Sequence, residues 1–330
     1  MAQFFDVCNG DADGLIARHQ FRLSFPVPAD NMSLLTGPKR DVSLLSQIKI
    51  GGTKTSIADI CVFDISYDQN AESAHLLLNA GAKIRYFDHH RASLLKHHPR
   101  LDAHIDTSAD TCTSLIVDRY LNGAHRLWAI VAAFGDNLTG VAEKLALLAN
   151  MSSTQTAQLR LLGECINYNA YGESISDLLY PPAEIARRMM PYQSPFEFAQ
   201  CEDILPHLQA GVADDLRRAK EIQPLHSSSV AVVYVLPNEK WARRVSGTFA
   251  NTLARNHTRR AHAILTGTEN GKFTVSIRAP LQRPQHADAV AIQFANGGGR
   301  AAAAGINNME HHDIARLILL LNEAYAEAAQ

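Results

Sequence analysis

Three apolar runs in the N-terminal part of the chain end on acids. "QFFDVCNGDADG" leads into Asp11 and Asp13, "ICVFDIS" closes on Asp64, and "KIRYFDHH" closes on Asp88, His89 and His90. Short runs rich in Val, Ile, Phe and Tyr read as buried strands. Helical patterns lie between them, "GLIARHQFRLSF" after the first and "NAESAHLLLNAG" after the second. Strands alternating with helices predict an α/β fold, with a parallel sheet covered on both faces. The C-terminal ends of such strands lie along one edge, where open α/β sheets bind ligands. Topology alone therefore collects these acids and histidines in one crevice. Asp136, which ends the helical run "AHRLWAIVAAFGD", is expected to join them.

Carboxylates this dense do not stay ionised unless positive charge sits among them. No lysine or arginine lies inside "CNGDADG" or "VFDIS". The simplest remedy is divalent metal, two ions rather than one. Carboxylate oxygens with one or two imidazoles suit Mn²⁺ or Mg²⁺ better than a thiolate zinc site. Two such ions can share a water, lower its pKa and clamp phosphoryl oxygens. Any one of these acids taken alone has a plainer use, as a turn or helix-capping residue. Lys39 and Arg40, in "TGPKRD" after the strand "MSLLTG", read either as phosphate contacts near the same edge or as a solvated charged loop. Arg91, beside the histidines, has the same two readings. The pairs His97–His98 and His311–His312 read as surface or capping positions.

A chain of 330 residues suits two domains. Its net charge of −2 argues against a protein that coats long nucleic acid. Five cysteines without a C-x-x-C argue against a disulfide framework or thiolate zinc, and predict buried reduced thiols. No apolar run reaches the roughly 20 residues that span a bilayer. The start "MAQFFDVCNG" has no basic region before an apolar core, so a cytoplasmic location is expected.

From about Gln155 to His226 the pattern is mostly helical. Beyond it, "SSVAVVYVL" reads as a strand, "WARRVSGTFANTLARNH" as an amphipathic helix, and "AHAILTGTENGKFTVSIRAP" as a hairpin turning at "ENG". "ADAVAIQFA" reads as a helix, "GGGRAAAAG" as a glycine-rich turn, and "HHDIARLILLLNEAYAEAAQ" as a terminal helix. Gly297, Gly298 and Gly299 carry no side chains, so backbone amides there can approach an anion or a base closely. A tight helix-to-strand connection is the plainer reading. Arg278 and Arg300 are the accompanying phosphate candidates.

These residues together resemble the DHH phosphoesterase superfamily. "NGDADG" is similar to its first motif, "VFDIS" to its second, "YFDHH" to its name-giving triplet and "AFGDN" to its fourth. "DTCTSLIV" resembles the segment preceding that fourth motif. "VSIRAP…ADAVAIQFANGGGRAAAAGI" resembles the DHHA1 substrate-binding domain. The resemblance covers nearly the whole chain, in order. It implies a catalytic DHH domain over 1–190, a helical linker over 191–225 and a smaller α/β DHHA1 domain over 226–330, with the active site in the cleft between domains. It implies a two-metal centre, usually Mn²⁺, with Asp11, Asp13, Asp64, His89 and Asp136 as ligands and Asp64 bridging. Asp88 would orient a histidine of the triplet, and His90 would contact the scissile phosphate or assist the leaving oxygen. Arg278, Arg300, Arg91 and the Gly297–Gly299 run would hold the substrate.

Two positions depart from the family pattern. The first motif usually begins with a histidine ligand, and here that position is Asn9. The glycine-rich signature usually carries a histidine after its glycines, and here it is Arg300. The compact length implies a short nucleotide: a linear dinucleotide such as pGpG or pApA cleaved to mononucleotides. A 3′-phosphoadenosine nucleotide phosphatase and a cyclic dinucleotide phosphodiesterase are the alternatives with the same metals. Asn9 also motivates a non-catalytic nucleotide sensor. Arg300 leans the choice toward guanine, whose O6 and N7 accept a bidentate arginine. Dimerisation is common in such folds, and no stretch of the sequence identifies an interface.

Overall fold

The structure is a computed structural model that describes residues 4–49 and 59–326. These form two units, 1–209 and 210–330, each built on its own sheet. The division falls within the stretch read from sequence as a helical linker.

The first unit opens with β1 (Phe4–Asn9), α1 (Ala12–Ser24), β2 (Met32–Gly37), β3 (Asp59–Phe63), α2 (Tyr67–Asn79) and β4 (Lys83–Asp88). An edge strand, β5 (Leu101–Ile105), completes a five-stranded sheet in the order β2-β1-β3-β4-β5. Every pairing is parallel. Val7 and Cys8 of β1, Val62 and Phe63 of β3, and Tyr86 and Phe87 of β4 are all fully buried, including neighbours that face opposite sides. That is why these strands read as continuous apolar runs. The half-polar edge strand "LDAHI" gave no such signal.

A charge pins α1 to this sheet. Asp6, in mid-strand and fully buried, accepts hydrogen bonds from Arg18 Nε at 2.8 Å and from Arg22 Nη2 at 2.5 Å. The two arginines lie four residues apart, one above the other on a single helix face. A helical layer follows: α3 (Thr113–Tyr120), α4 (Arg126–Gly135), α5 (Thr139–Leu148), α6 (Ser153–Asn169), α7 (Pro182–Met189) and α8 (Pro195–Cys201), and the division between the units falls inside α9 (Ile204–Glu221). From Trp128 to Gly135, α4 is buried on all sides, and it packs against α1, α3 and α6. Among the described residues, no helix is long and apolar enough to cross a membrane. The cysteines are free thiols, and burial pushes those of Cys8, Cys61 and Cys165 up to about 12.

The second unit contains β6 (His226–Ser227), β7 (Ala231–Leu236), α10 (Lys240–Asn256), β8 (Ala261–Gly267), β9 (Phe273–Arg278), α11 (Ala287–Ala291), β10 (Gly297–Arg300), β11 (Ala303–Met309) and α12 (Ile314–Tyr325). The sheet order is β10-β11-β9-β8-β7-β6, parallel only between β7 and β8. Val233, Leu265, Val275, Ile277 and Ile306 form a core with Val290, Leu317 and Leu321 of α11 and α12. The glycine run, read from sequence as a turn, is instead a strand. With no side chains to place, Gly297–Arg300 pairs its backbone along β11 as the sheet edge, and the turn itself is Ala301–Ala302. The expected terminal helix is present as α12; residues 327–330 lie outside the described residues.

Candidate metal centre

The C-terminal ends of β1, β3 and β4 deliver the acids, and the local backbone explains how. After β1 the chain turns so tightly that a Cβ on Gly10 would lie 2.0 Å from the Gly37 carbonyl oxygen. Asp11 then caps α1, its Oδ1 accepting from the Gly14 amide at 3.0 Å. Asp13 sits in the first turn of α1. Asp64 follows β3 with φ of +59°. This left-handed conformation is tolerated by aspartate better than by most residues and recurs at functional sites. Its amide donates to the Phe87 carbonyl of β4 at 3.0 Å, locking the two strand ends together.

Five of the expected residues come together. Asp64, His89 and His90 form one group, and Asp13, His89 and Asp136 a second, with ligand atoms inside each group within 4.8 Å of one another. His89 Nε2 lies 3.2 Å from Asp64 Oδ1 and 4.0 Å from Asp13 Oδ2. Its Nδ1 lies 3.3 Å from the Thr111 carbonyl, so that nitrogen carries the proton and Nε2 is left to coordinate. Asp88 stays outside both groups and serves His90: Oδ1 accepts from His90 Nδ1 at 2.7 Å and from the His90 amide at 3.2 Å. Its Oδ2 accepts from the Tyr67 amide at 3.3 Å. The His90 side chain is 43% exposed, unlike its buried neighbours.

The electrostatics show a centre short of positive charge. Burial, then the nearby Asp64 carboxylate, push Asp13 up to about 6. Burial and the charge of Asp11 likewise raise Asp64. Burial works against the imidazolium of His89, but its hydrogen bond to Asp64 and the charges of Asp64, Asp136 and Asp13 outweigh that and raise it to about 10. His90 is raised against burial by Asp88 first and Asp64 second. Carboxylates driven toward protonation beside imidazoles driven toward the cation are what a hard divalent ion relieves. The donor set fits such an ion.

Two features were not read from the sequence. The N-terminus of α3 feeds the centre: the amides of Thr113 and Ser114 donate to the two oxygens of Asp13 at 2.8 and 2.7 Å, and Thr113 Oγ1 donates to Asp64 at 3.0 Å. The segment "DTCTS" was the available signal, since a helix start rich in Thr and Ser presents donors to anions. The second feature is Lys39. Its Nζ donates to Asp11 Oδ2 at 2.5 Å, so it is tied to the acids at the sheet edge and is not a free solvated loop residue. Asp11 is in neither ligand group, although its carboxyl faces Asp64 of the first. Asn9 is buried and spans the same turn, its Nδ2 donating to the Lys39 carbonyl at 3.3 Å and its Oδ1 accepting from the Asp11 amide at 3.2 Å. Arg40 and Arg91 are exposed.

The second unit carries the other candidates. Arg300 of β10 and Arg278 of β9 both pair with Ala303 of β11, so the two arginines lie in one row across three strands, separated by a small residue. Directly opposed residues of a sheet share a face, so the two arginines do as well. Arg278 Nε donates to Asn251 Oδ1 of α10 at 2.6 Å, which fixes its direction. Gly297 has a packing role: a Cβ there would lie 1.8 Å from the Ala291 carbonyl oxygen. A Cβ on Gly298 would meet nothing within 4 Å.

A family model described as the DHHA1 domain matches residues 227–327. A sequence comparison with curated proteins finds no match. Among solved structures, a DHH-domain protein described as a member of a family of ribosomal proteins aligns with TM-score 0.63 and 12% identity, over 99% of this chain and 88% of that one. Exonuclease RecJ bound to manganese aligns with TM-score 0.57 and 15% identity, over 99% and 90%. The pGpG-specific phosphodiesterase PggH from Vibrio cholerae aligns with TM-score 0.52 and 13% identity, over 99% and 100%. At such identities the likeness speaks to fold and not to chemistry. Residues 227–327 thus match the DHHA1 domain, and the chain shares the fold of DHH-domain structures along nearly its whole length.

Proposed function

We propose that this chain is a divalent-metal phosphodiesterase that hydrolyses short linear dinucleotides, pGpG or pApA, to mononucleotides. The observation that carries the reading is the cluster of Asp13, Asp64, His89, His90 and Asp136, open to solvent at His90, in which Asp13 and Asp64 are driven toward protonation and both imidazoles toward the cation. PggH, similar in fold over its full length, is described as acting on pGpG, and RecJ as binding manganese. Both descriptions support carrying this chemistry over.

Asp13, Asp64, His89 and Asp136 would hold the ion, Mn²⁺ or Mg²⁺. A bound divalent ion supplies charge for the phosphoryl oxygens and lowers the pKa of the attacking water. The protein's own work is positioning and proton transfer. Asp88 fixes the ring of His90 through Nδ1, and the charges of Asp88 and Asp64 raise its pKa and so favour the protonated ring. His90 then delivers a proton to the departing 3′-oxygen as the P–O bond breaks. Arg278 and Arg300, in one row of the second sheet, suit the terminal phosphate or a guanine edge.

The test is incubation of the purified chain with Mn²⁺ and pGpG or pApA, following GMP or AMP by chromatography. Release of two mononucleotides per dinucleotide, abolished by a chelator, is expected. No release from any short dinucleotide would overturn the proposal.

A further inference from the structure

The resemblance implied two metal ions, and the geometry around Lys39 points to a different balance of charge. We infer that the centre holds one divalent ion, and that the Lys39 ammonium, seated on Asp11, stands in the place of the second cation. The inference deepens the phosphodiesterase reading and rests on it.

Three independent observations carry it. First, the Lys39 ammonium sits directly on Asp11: Oδ1 of Asp11 accepts from the Gly14 amide at 3.0 Å and Oδ2 from Lys39 Nζ at 2.5 Å, on the carboxyl that also faces Asp64. The ammonium is not a chance visitor. The Lys39 amide donates to the Ala170 carbonyl at 2.9 Å, its Nζ lies 3.4 Å from Asn167 Oδ1, and it sits 5.6 Å from the centre of the Tyr171 ring.

Second, Asn9 stands where the family pattern has a histidine ligand, and both ends of its amide are used inside the loop, on the Lys39 carbonyl and the Asp11 amide. The residue that would have coordinated an ion beside Asp11 instead positions the loop that brings Lys39 there.

Third, the two ligand groups share one imidazole. His89 belongs to both, and with Nδ1 turned to the Thr111 carbonyl only Nε2 coordinates. One nitrogen lone pair serves one ion, so a second ion would have to be held without that imidazole. Charge agrees: four carboxylates, Asp11, Asp13, Asp64 and Asp136, face one ammonium and one divalent ion, leaving a single negative charge. Two divalent ions with the ammonium would make the centre positive before substrate arrives.

The experiment measures stoichiometry directly. Titrate the metal-free chain with Mn²⁺ by calorimetry and record its electron paramagnetic resonance spectrum. One ion per chain with an isolated six-line signal is expected. In Lys39→Met the stoichiometry should rise to two and the spectrum should show coupling between ions, whereas Lys39→Arg should stay at one. Lys39→Gln, which can keep hydrogen bonds to Asp11 and Asn167 without the charge, answers the same question if the methionine variant does not fold. Two ions in the wild type, or one ion in both uncharged variants, would overturn the inference and leave the phosphodiesterase reading standing. No ion in the wild type would sink both.

Discussion

Replacing Asp88 by asparagine tests the catalytic arrangement at one atom. The carboxylate accepts three hydrogen bonds, two on Oδ1 from His90 and one on Oδ2 from the Tyr67 amide. An amide side chain has one acceptor oxygen, so Asp88→Asn leaves two choices. With the amide oxygen toward His90, the NH₂ group faces the Tyr67 N–H, donor against donor. With the oxygen toward Tyr67, the NH₂ group faces His90 Nδ1 and forces the proton onto Nε2. Each choice strands a donor, the Tyr67 amide in the first and the His90 amide in the second, and costs about 1–3 kcal/mol of stability. For a unit of this size that is a fall in Tm of roughly 2–12 °C. Either choice removes the negative charge that raises the His90 pKa, so that pKa falls. Partners that orient a site histidine are worth about 10–100-fold, a barrier increase of about 1.4–2.7 kcal/mol. The assay is steady-state hydrolysis of pGpG across pH 5 to 10, with the His90 ring proton followed by NMR. We expect kcat to fall by that factor, and the alkaline limb and the NMR midpoint to move to lower pH together. An unchanged kcat with an unchanged His90 midpoint would refute the positioning role.

Metal affinity should depend on pH in two stages. Asp13 has a folded pKa of about 6, above its ordinary value of 3.8, so it holds a proton until the pH passes about 6. In the metal-free chain its contribution to stability is therefore present below 3.8 and lost as pH rises through about 6. His89 holds its proton to about 10. Binding an ion must displace both protons below pH 6 and only that of His89 above it. A calorimetric series should show log affinity rising by about two per pH unit below 6 and about one above; a flat series would contradict the ligand assignment. In the second unit, Gly297→Ala would drive a Cβ into the Ala291 carbonyl and should lower the melting temperature sharply, while Gly298→Ala, with open space around it, should leave it unchanged. Equal melting temperatures for the two variants would count against the packing role of Gly297.

The acids at strand ends were legible because burial and chemistry write themselves locally. A parallel strand buried on both faces is a continuous apolar run, and the acid that follows "ICVF" or "KIRYF" can only lie at the C-terminal edge. Asp13, Asp64, His89, His90 and Asp136 could therefore be gathered before any coordinates. The glycine run misled for the opposite reason, since glycine carries no face to read and its pairing with β11 depends on the partner strand. The neutralising charges were invisible because they arrive from far along the chain. Lys39 meets Asp11 across 28 residues, and the amides of α3 meet Asp13 across 100. Sequence determined which groups line the sheet edge, because strand period and burial are properties of short segments. Only the tertiary structure decided how their charges are balanced, because Coulomb interactions follow distance in space and take no account of separation along the chain.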